Sequence, residues 1–217
     1  MRNRFLTLLR KEFIFEWRGL YQLGGLVSFL MGVSYLVYFF SGDIQPKVWN
    51  LMYWIIFLFL SFFGGMRTYE EDNGRYKIYT HQLSSPLILF AAKTTYLFIV
   101  LLGFGLLLNI ILNGLIPVNN AFGWAWPVIL AQVAFGFALL TAFTSFISSH
   151  ANSRQILMVV ISLPLCFPLL AMAFSCTLDV LSGVELSRIS SKMLPVLAID
   201  LLALALVTIL LPLSWKN

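Results

Sequence analysis

The chain has 217 residues, of which 60% are hydrophobic and only 11% are charged, and its formal net charge is +5. Soluble domains carry about 25% charged residues, so this chain has too few polar side chains to cover a water-exposed globule. Its lysines and arginines lie at the ends of apolar runs rather than along one stripe, which favours phospholipid headgroups over nucleic acid as their partner.

Four long stretches contain no Asp, Glu, Lys or Arg: 19–42, 48–66, 94–153 and 155–178. A helix needs roughly 20 apolar residues to cross a hydrocarbon core of about 30 Å, and continuous apolar runs without two-residue alternation favour helices over a barrel. We therefore predict an all-α membrane protein with a single transmembrane domain over residues 1–217. The six predicted spans are about 20–40, 48–66, 86–116, 125–147, 156–178 and 194–214.

Ahead of the first span, residues 1–19 predict an amphipathic helix. At about 100° per residue, Arg4, Lys11 and Arg18 fall on one side of it. The opposite side is apolar and comprises Leu6, Leu9, Phe13 and Trp17. This pattern is typical of an interfacial helix with its basic side toward water; a cytosolic extension of the first span is the alternative.

Within the first span, Gly24, Ser28 and Gly32 recur every four residues. Such a ridge of small residues lets another helix approach closely. We predict that it packs within the chain, and a seam between two copies of the chain is the alternative.

The distribution of Lys and Arg predicts the orientation. With the N-terminus inside, the cytoplasmic segments hold eleven of these residues and the outer loops hold three. Both termini are therefore predicted in the cytoplasm, with the chain in a bacterial inner membrane. Tryptophans are expected to mark the inner boundary at Trp17 and Trp215, and the outer boundary at Trp49, Trp124 and Trp126.

The first cytoplasmic segment, 67–85, combines three acidic residues, an Asn-Gly turn and an aromatic face. Tyr76, Tyr79 and Leu83 share one side if the segment is helical, and a short helix of this kind fits into the groove of a partner protein. The alternative is a solvated loop whose charges only fix the topology. The candidate coupling residues are Glu70, Glu71, Asp72, Gly74, Tyr76, Tyr79 and Leu83.

The third span is longer than the bilayer requires, so its first turns should protrude and Lys93 should reach the headgroups. Asn109 and Asn113 lie one turn apart in this span, and Gln132 lies in the fourth. Buried amides of this kind bridge helices, or they line a polar route for a substrate.

Pro164 and Pro168 lie one turn apart in the fifth span and predict a kink there, either static or acting as a gate. The two cysteines, Cys166 and Cys176, are in the same span, have no metal-binding or redox spacing, and are expected to pack.

Asp200 is the strongest single candidate for a functional residue, because a carboxyl group within a span is expected to have a function. A lower placement of the last helix would instead put Asp200 at the outer headgroups. In the first case, Asp200→Asn should impair activity and leave membrane abundance intact.

The two histidines, His81 and His150, are both predicted on the cytoplasmic side, so no residue is expected to hold haem stably on the outer face. The pair Trp124 and Trp126 could stack on a porphyrin, although boundary anchoring accounts for it more simply. No set of residues predicts a catalytic or metal site.

Several of these features resemble type-2 ABC transporter permeases: the acidic cluster, Gly74, the Leu-x-x-Pro of Leu83–Pro86, Lys93 and the overall layout. Leu163-Pro-Leu-Cys-Phe-Pro-Leu-Leu170 is similar to the Leu-Pro-Leu-x-x-Pro-Leu-Leu of the CcmB family of cytochrome c maturation permeases, also called haem exporter protein B. The opening Leu8–Glu12 fits that family too, and the resemblance extends over essentially the whole chain.

The resemblance implies a permease subunit that forms a homodimer and pairs with a separate CcmA-like ATPase. The chain has no G-x-x-x-x-G-K-[ST] motif of its own, so ATP is expected on the partner and no enzyme activity on this chain. Haem would be cargo, handled with a CcmC-like membrane protein and a CcmE-like chaperone. A permease for a drug, lipid or polysaccharide is the alternative.

Overall fold

The structure, a computed structural model, describes residues 2–18, 20–42, 45–69, 85–118, 123–149, 151, 153–184 and 186–214. These residues form seven α-helices and contain no strand. The helices are α1 (Arg2–Arg18), α2 (Leu20–Ser41), α3 (Pro46–Arg67), α4 (Pro86–Leu115), α5 (Ala125–Ser148), α6 (Arg154–Leu181) and α7 (Leu186–Ser214).

Five of these helices are long and apolar enough to cross a membrane: α3, α4, α5, α6 and, within α7, Ile189–Leu211. The chain is therefore a multi-pass, all-helical membrane protein in the part that the structure describes. In α2 the apolar stretch Gly24–Phe40 is shorter, so the sixth span stays a prediction.

α1 is the N-terminal helix of the described chain and spans Arg2–Arg18. It packs against the first turns of α4, where the Phe13 and Tyr96 rings meet edge to face at 5.1 Å. Its predicted position at the membrane surface stays a prediction.

α5 is the central helix of the bundle: most of its side chains are buried, and it packs against α3, α4, α6 and α7. A helix that is apolar all round belongs in such a position. Near its end the hydroxyls of Thr141, Thr144 and Ser148 donate to carbonyls one turn earlier, at 2.6, 3.0 and 2.7 Å. These three buried hydroxyls are thereby satisfied within the helix itself.

Small residues set the closest helix contacts. A Cβ on Gly105 of α4 would lie 2.8 Å from Leu130 and 2.9 Å from Phe57. A Cβ on Gly65 of α3 would meet Met158 and, at 2.8 Å, Thr141. The absent side chains therefore let neighbouring helices approach closely, as in other membrane bundles.

Prolines and one glycine mark the helix ends. Pro46 and Pro86 are the first residues of α3 and α4, where the missing N–H costs no helical hydrogen bond. Just after the end of α6, Gly183 adopts φ 69°, and the Gly183 and Val184 amides donate to the Val180 and Asp179 carbonyls. This is a Schellman motif, in which glycine relieves the strain of a positive φ.

α7 begins at Leu186, eight residues before the predicted span of 194–214. The predicted spans 156–178 and 194–214 left residues 179–193 as a connecting loop. This prediction is wrong for residues 186–193, which are helical and include Lys192. Its ammonium group pairs with Asp179 at 2.5 Å and donates to the Ser175 hydroxyl at 3.2 Å. With its charge satisfied by α6, Lys192 does not need to end the helix.

The ridge of Gly24, Ser28 and Gly32 lies on an exposed face of α2. A Cβ on Gly24 or Gly32 would meet nothing within 4 Å, so the prediction that this ridge packs within the chain is wrong. Toward the end of the same helix, large apolar side chains are also exposed, including Tyr35, Phe39 and Phe40.

Candidate functional site

The last carbonyls of a helix have no hydrogen-bond donor within it. At the end of α3, two basic side chains donate hydrogen bonds to such carbonyls. Arg154, the first residue of α6, donates from its guanidinium to the Tyr69 carbonyl at 3.0 Å and to the Met66 carbonyl at 3.2 Å. A planar guanidinium group suits this double contact, and a cation at a helix C-terminus is also favoured by the helix dipole.

Lys93 of α4 supplies the second basic side chain. It is only 2% exposed, and its ammonium group donates to the Thr68 carbonyl at 2.5 Å. The same group lies 3.5 Å from the Glu12 carboxylate of α1 and 4.9 Å from the centre of the Tyr69 ring. The prediction that Lys93 reaches the headgroups is wrong, because a carbonyl, a carboxylate and an aromatic face hold its charge inside the bundle.

We call Lys93 and Arg154 the basic clamp. It holds the chain at Tyr69, whose ring is 3% exposed and packs on Phe146 of α5 at 5.5 Å. On the far side of residues 70–84, α4 begins at Pro86 and carries Lys93 in its second turn. Both ends of that segment are thus fixed to the same group of helices.

The predicted coupling residues lie outside the described residues, and so do both histidines. These are Glu70, Glu71, Asp72, Gly74, Tyr76, Tyr79, Leu83, His81 and His150. Their predicted roles stay predictions.

A buried polar network joins α3 to α6 near their other ends. The Trp54 indole donates to the Thr177 hydroxyl at 2.8 Å, and that hydroxyl lies 2.7 Å from the Asn50 side-chain carbonyl. The Asn50 amide donates in turn to the Phe174 carbonyl at 2.8 Å. Since each of these polar groups has a partner, the network stabilises a unique register of the two helices.

Two of the three tryptophans predicted at the outer boundary lie inside the bundle. Trp49 is 1% exposed and Trp126 is 0% exposed, and their rings meet edge to face at 5.6 Å. Tyr53 packs on both rings and donates its hydroxyl to the Gly105 carbonyl at 3.0 Å. Trp49 and Trp126 therefore fill the core, where large rings bury the most area, and only Trp124, at 65% exposed, faces outward.

The three amides of the third and fourth predicted spans behave differently. Asn109 is 4% exposed and lies within α4. Asn113 accepts a hydrogen bond from the Val118 backbone at 2.7 Å and so caps the end of α4. The polar-route alternative for these amides stays a prediction. Gln132 donates to the Met193 carbonyl at 2.9 Å and joins α5 to α7, as the bridging interpretation predicts.

α6 continues through Pro164 and Pro168 without a break, and both prolines lie on its exposed face. Cys166 and Cys176 are buried in the same helix as free thiols, so they pack as expected. Neither proline contributes a group to the basic clamp.

Asp200 is buried, with 5% exposure, as one of its two predicted placements requires. It lies on α7 opposite Gly136 of α5, and a Cβ on Gly136 would collide with its carboxyl group. Its depth in the membrane stays a prediction.

Sequence reasoning missed Arg154, Glu12 and Thr177 as site residues. Arg154 did carry a signal, because it is the one charged residue between 94 and 178. Thr177 carried none, since a hydroxyl in an apolar span most often bonds to its own helix. Among the described residues, no group of His, Cys, Asp and Glu could hold a metal ion.

Comparison with protein-family models, with curated proteins and with solved structures found no match to this chain.

Proposed function

We propose that the chain is the permease subunit of an ABC transporter for cytochrome c maturation. It would couple ATP hydrolysis by a separate CcmA-like ATPase to a conformational change in the membrane. That change would deliver haem, or release the CcmE-like haem chaperone, together with a CcmC-like membrane protein. Beside the geometry described above, the sequence resemblance to the CcmB family supports this proposal.

The observation that carries the proposal is the basic clamp. A force on residues 70–84 reaches Tyr69 at one end and α4 at the other. From there it passes to α6 through Arg154, and to α1 and α3 through Lys93. Rigid helices joined by hydrogen bonds and an ion pair transmit such a displacement as a unit. If residues 70–84 were a solvated loop whose charges only fixed the topology, its two ends would not need to be held by the clamp.

A homodimer belongs to the proposal, because half-size permeases need a second copy to enclose a path. The exposed ridge of Gly24, Ser28 and Gly32 supports it, since a helix from a second copy could approach closely there.

The second candidate is a type-2 ABC permease for a drug, lipid or polysaccharide, which would use the same clamp. Deletion of the gene separates the two candidates. Loss of c-type cytochromes, restored by this chain, supports cytochrome c maturation. Normal c-type cytochromes in a strain whose ATPase still co-purifies with the chain would favour the second candidate.

Docking and coupling are tested separately. Charge reversal at Glu70, Glu71 and Asp72 is expected to release the ATPase from the purified complex, because these acids would face basic residues of the partner. Unchanged co-purification would reject this contact.

For coupling, Arg154→Lys keeps the positive charge but loses the double contact with the Tyr69 and Met66 carbonyls. A hydrogen bond to a charged group contributes about 1.5–3 kcal/mol, so the end of α3 should loosen. We expect the ATPase to remain bound while the yield of c-type cytochromes falls several-fold.

The matched control is Arg10→Lys on the exposed side of α1, which should behave as the wild type. An Arg154→Lys protein with wild-type cytochrome yield would reject coupling through the clamp, even if the ATPase docks as proposed.

A further inference from the structure

Asp200 lies at the centre of its apolar span. It is eleven residues from either end of Ile189–Leu211, which is about 16 Å along the helix axis at 1.5 Å per residue. That distance is close to half the thickness of a hydrocarbon core of about 30 Å. Only a narrow stripe of α7 faces the bundle at this depth; the stripe comprises Val196, Asp200, Ala203 and Val207.

The Asp200 carboxyl group lies beside Gly136 of α5. It rests on the backbone of Gly136, where any Cβ would collide with it, and Leu169 of α6 packs against the same glycine. Among the described residues, Oδ1 of Asp200 has no hydrogen-bond partner. Asp200 is only 5% exposed, so water does not surround its side chain.

No cation is positioned to neutralise this carboxyl group among the described side chains of the packed helices. α5 contains no charged residue. Lys93 of α4 and Arg154 of α6 lie near the first residues of their helices. Both are held in the clamp at that end of the bundle. On α7, Lys192 is engaged by Asp179 and Ser175.

The other ionisable groups of the neighbouring helices do not change this conclusion. Arg188 lies twelve residues before Asp200, about 18 Å along the axis. The remaining titratable groups within α6 are the thiols of Cys166 and Cys176, which are weak hydrogen-bond donors and carry no positive charge.

An unpaired carboxylate in such a place is strongly disfavoured, and a buried acid without a partner takes up a proton instead. We propose that Asp200 is a proton-binding site at the centre of the bundle, protonated while its carboxyl group lies against Gly136. When the proton leaves, the O–H bond breaks, the carboxylate keeps the electron pair, and a water molecule accepts the proton.

The site adds a property that the proposed function does not require. A chain that couples ATP hydrolysis to movement could do so without any proton, and a chain with another function would bind the proton in the same way. The protonation state of Asp200 can therefore be tested apart from the activity of the complex.

The test is infrared spectroscopy of the purified protein in lipid nanodiscs at neutral pH. The difference between wild type and Asp200→Asn is expected to contain the C=O stretching band of one protonated carboxyl group, lost in the variant. The amide is neutral and of similar size, so it should pack against Gly136 as the protonated acid does. Asp200→Ser is smaller and also neutral, and it gives the same comparison if the amide disturbs the packing.

Asp179 provides the matched control, because its carboxylate is paired with Lys192 at 2.5 Å. Asp179→Asn should leave the protonated-carboxyl band unchanged and remove a carboxylate band. If the Asp200 variants remove a carboxylate band and leave the protonated band unchanged, Asp200 is ionised and the proposal is overturned.

Discussion

Gly136 and Gly103 both lie inside long apolar helices, yet a methyl group should have opposite effects at the two positions. A Cβ on Gly136 would meet the Asp200 carboxyl group and, at 2.7 Å, Leu169, whereas nothing lies within 4 Å of a Cβ on Gly103. Overpacking a filled core costs about 1–3 kcal/mol, while alanine in place of an open helical glycine gains roughly 0.8–1 kcal/mol. We therefore expect Gly136→Ala to lower the thermal midpoint in detergent, and Gly103→Ala to keep or raise it.

A double variant identifies the contact responsible. Asp200→Ser removes the carboxyl group that the new methyl group would strike, so adding it to Gly136→Ala should restore part of the lost stability. Equal midpoints for the Gly136→Ala and Gly103→Ala proteins would contradict the close approach of α7 to α5.

At the scale of elements, the apolar runs predicted the bounds of five helices to within a few residues. The helices α2 to α6 begin and end within three residues of the predicted spans 20–40, 48–66, 86–116, 125–147 and 156–178. Hydrophobic length and proline positions determine these boundaries locally, so no knowledge of neighbouring helices is needed.

The same reasoning failed where a charge finds its partner on another helix. Lys93 was expected at the headgroups and Lys192 in a loop, yet both are held by groups on neighbouring helices. Trp49 and Trp126 were likewise expected at the boundary and instead lie in the core. Composition indicates that a polar or amphipathic side chain must be satisfied, but the partner depends on packing between helices, which one sequence does not reveal.

α2 provides a prediction at this scale, because its ridge of small residues is exposed. If two copies meet there about a two-fold axis, the same residue of each copy comes close to its counterpart. With Cys166 and Cys176 replaced by alanine, Ser28→Cys should form a disulfide-linked dimer on mild oxidation, visible on a non-reducing gel.

Leu202→Cys on α7 is the control for this cross-link, since Leu202 is 68% exposed and its helix carries no small-residue ridge at that face. It should remain monomeric on the gel. Dimers formed equally by both variants would indicate random collision and not a seam at α2.

The whole molecule has two unlike ends, and the proposed function requires a particular one to face the cytoplasm. The basic clamp lies at the end where α3 finishes and α4 and α6 begin. The opposite end, between α4 and α5, presents Trp124 at 65% exposure and carries no charged residue from 116 to 124. The positive-inside rule predicts that the clamp end faces the cytoplasm.

Cysteine labelling tests this assignment in living cells. Asn73→Cys places a thiol in the segment beyond the clamp, and Trp124→Cys places one at the opposite end, while the native cysteines are buried. A membrane-impermeant maleimide should label Trp124→Cys in intact cells, and Asn73→Cys only after permeabilisation. Labelling of Asn73→Cys from outside would separate the segment from any cytoplasmic ATPase, and the clamp would then have no source of force to transmit.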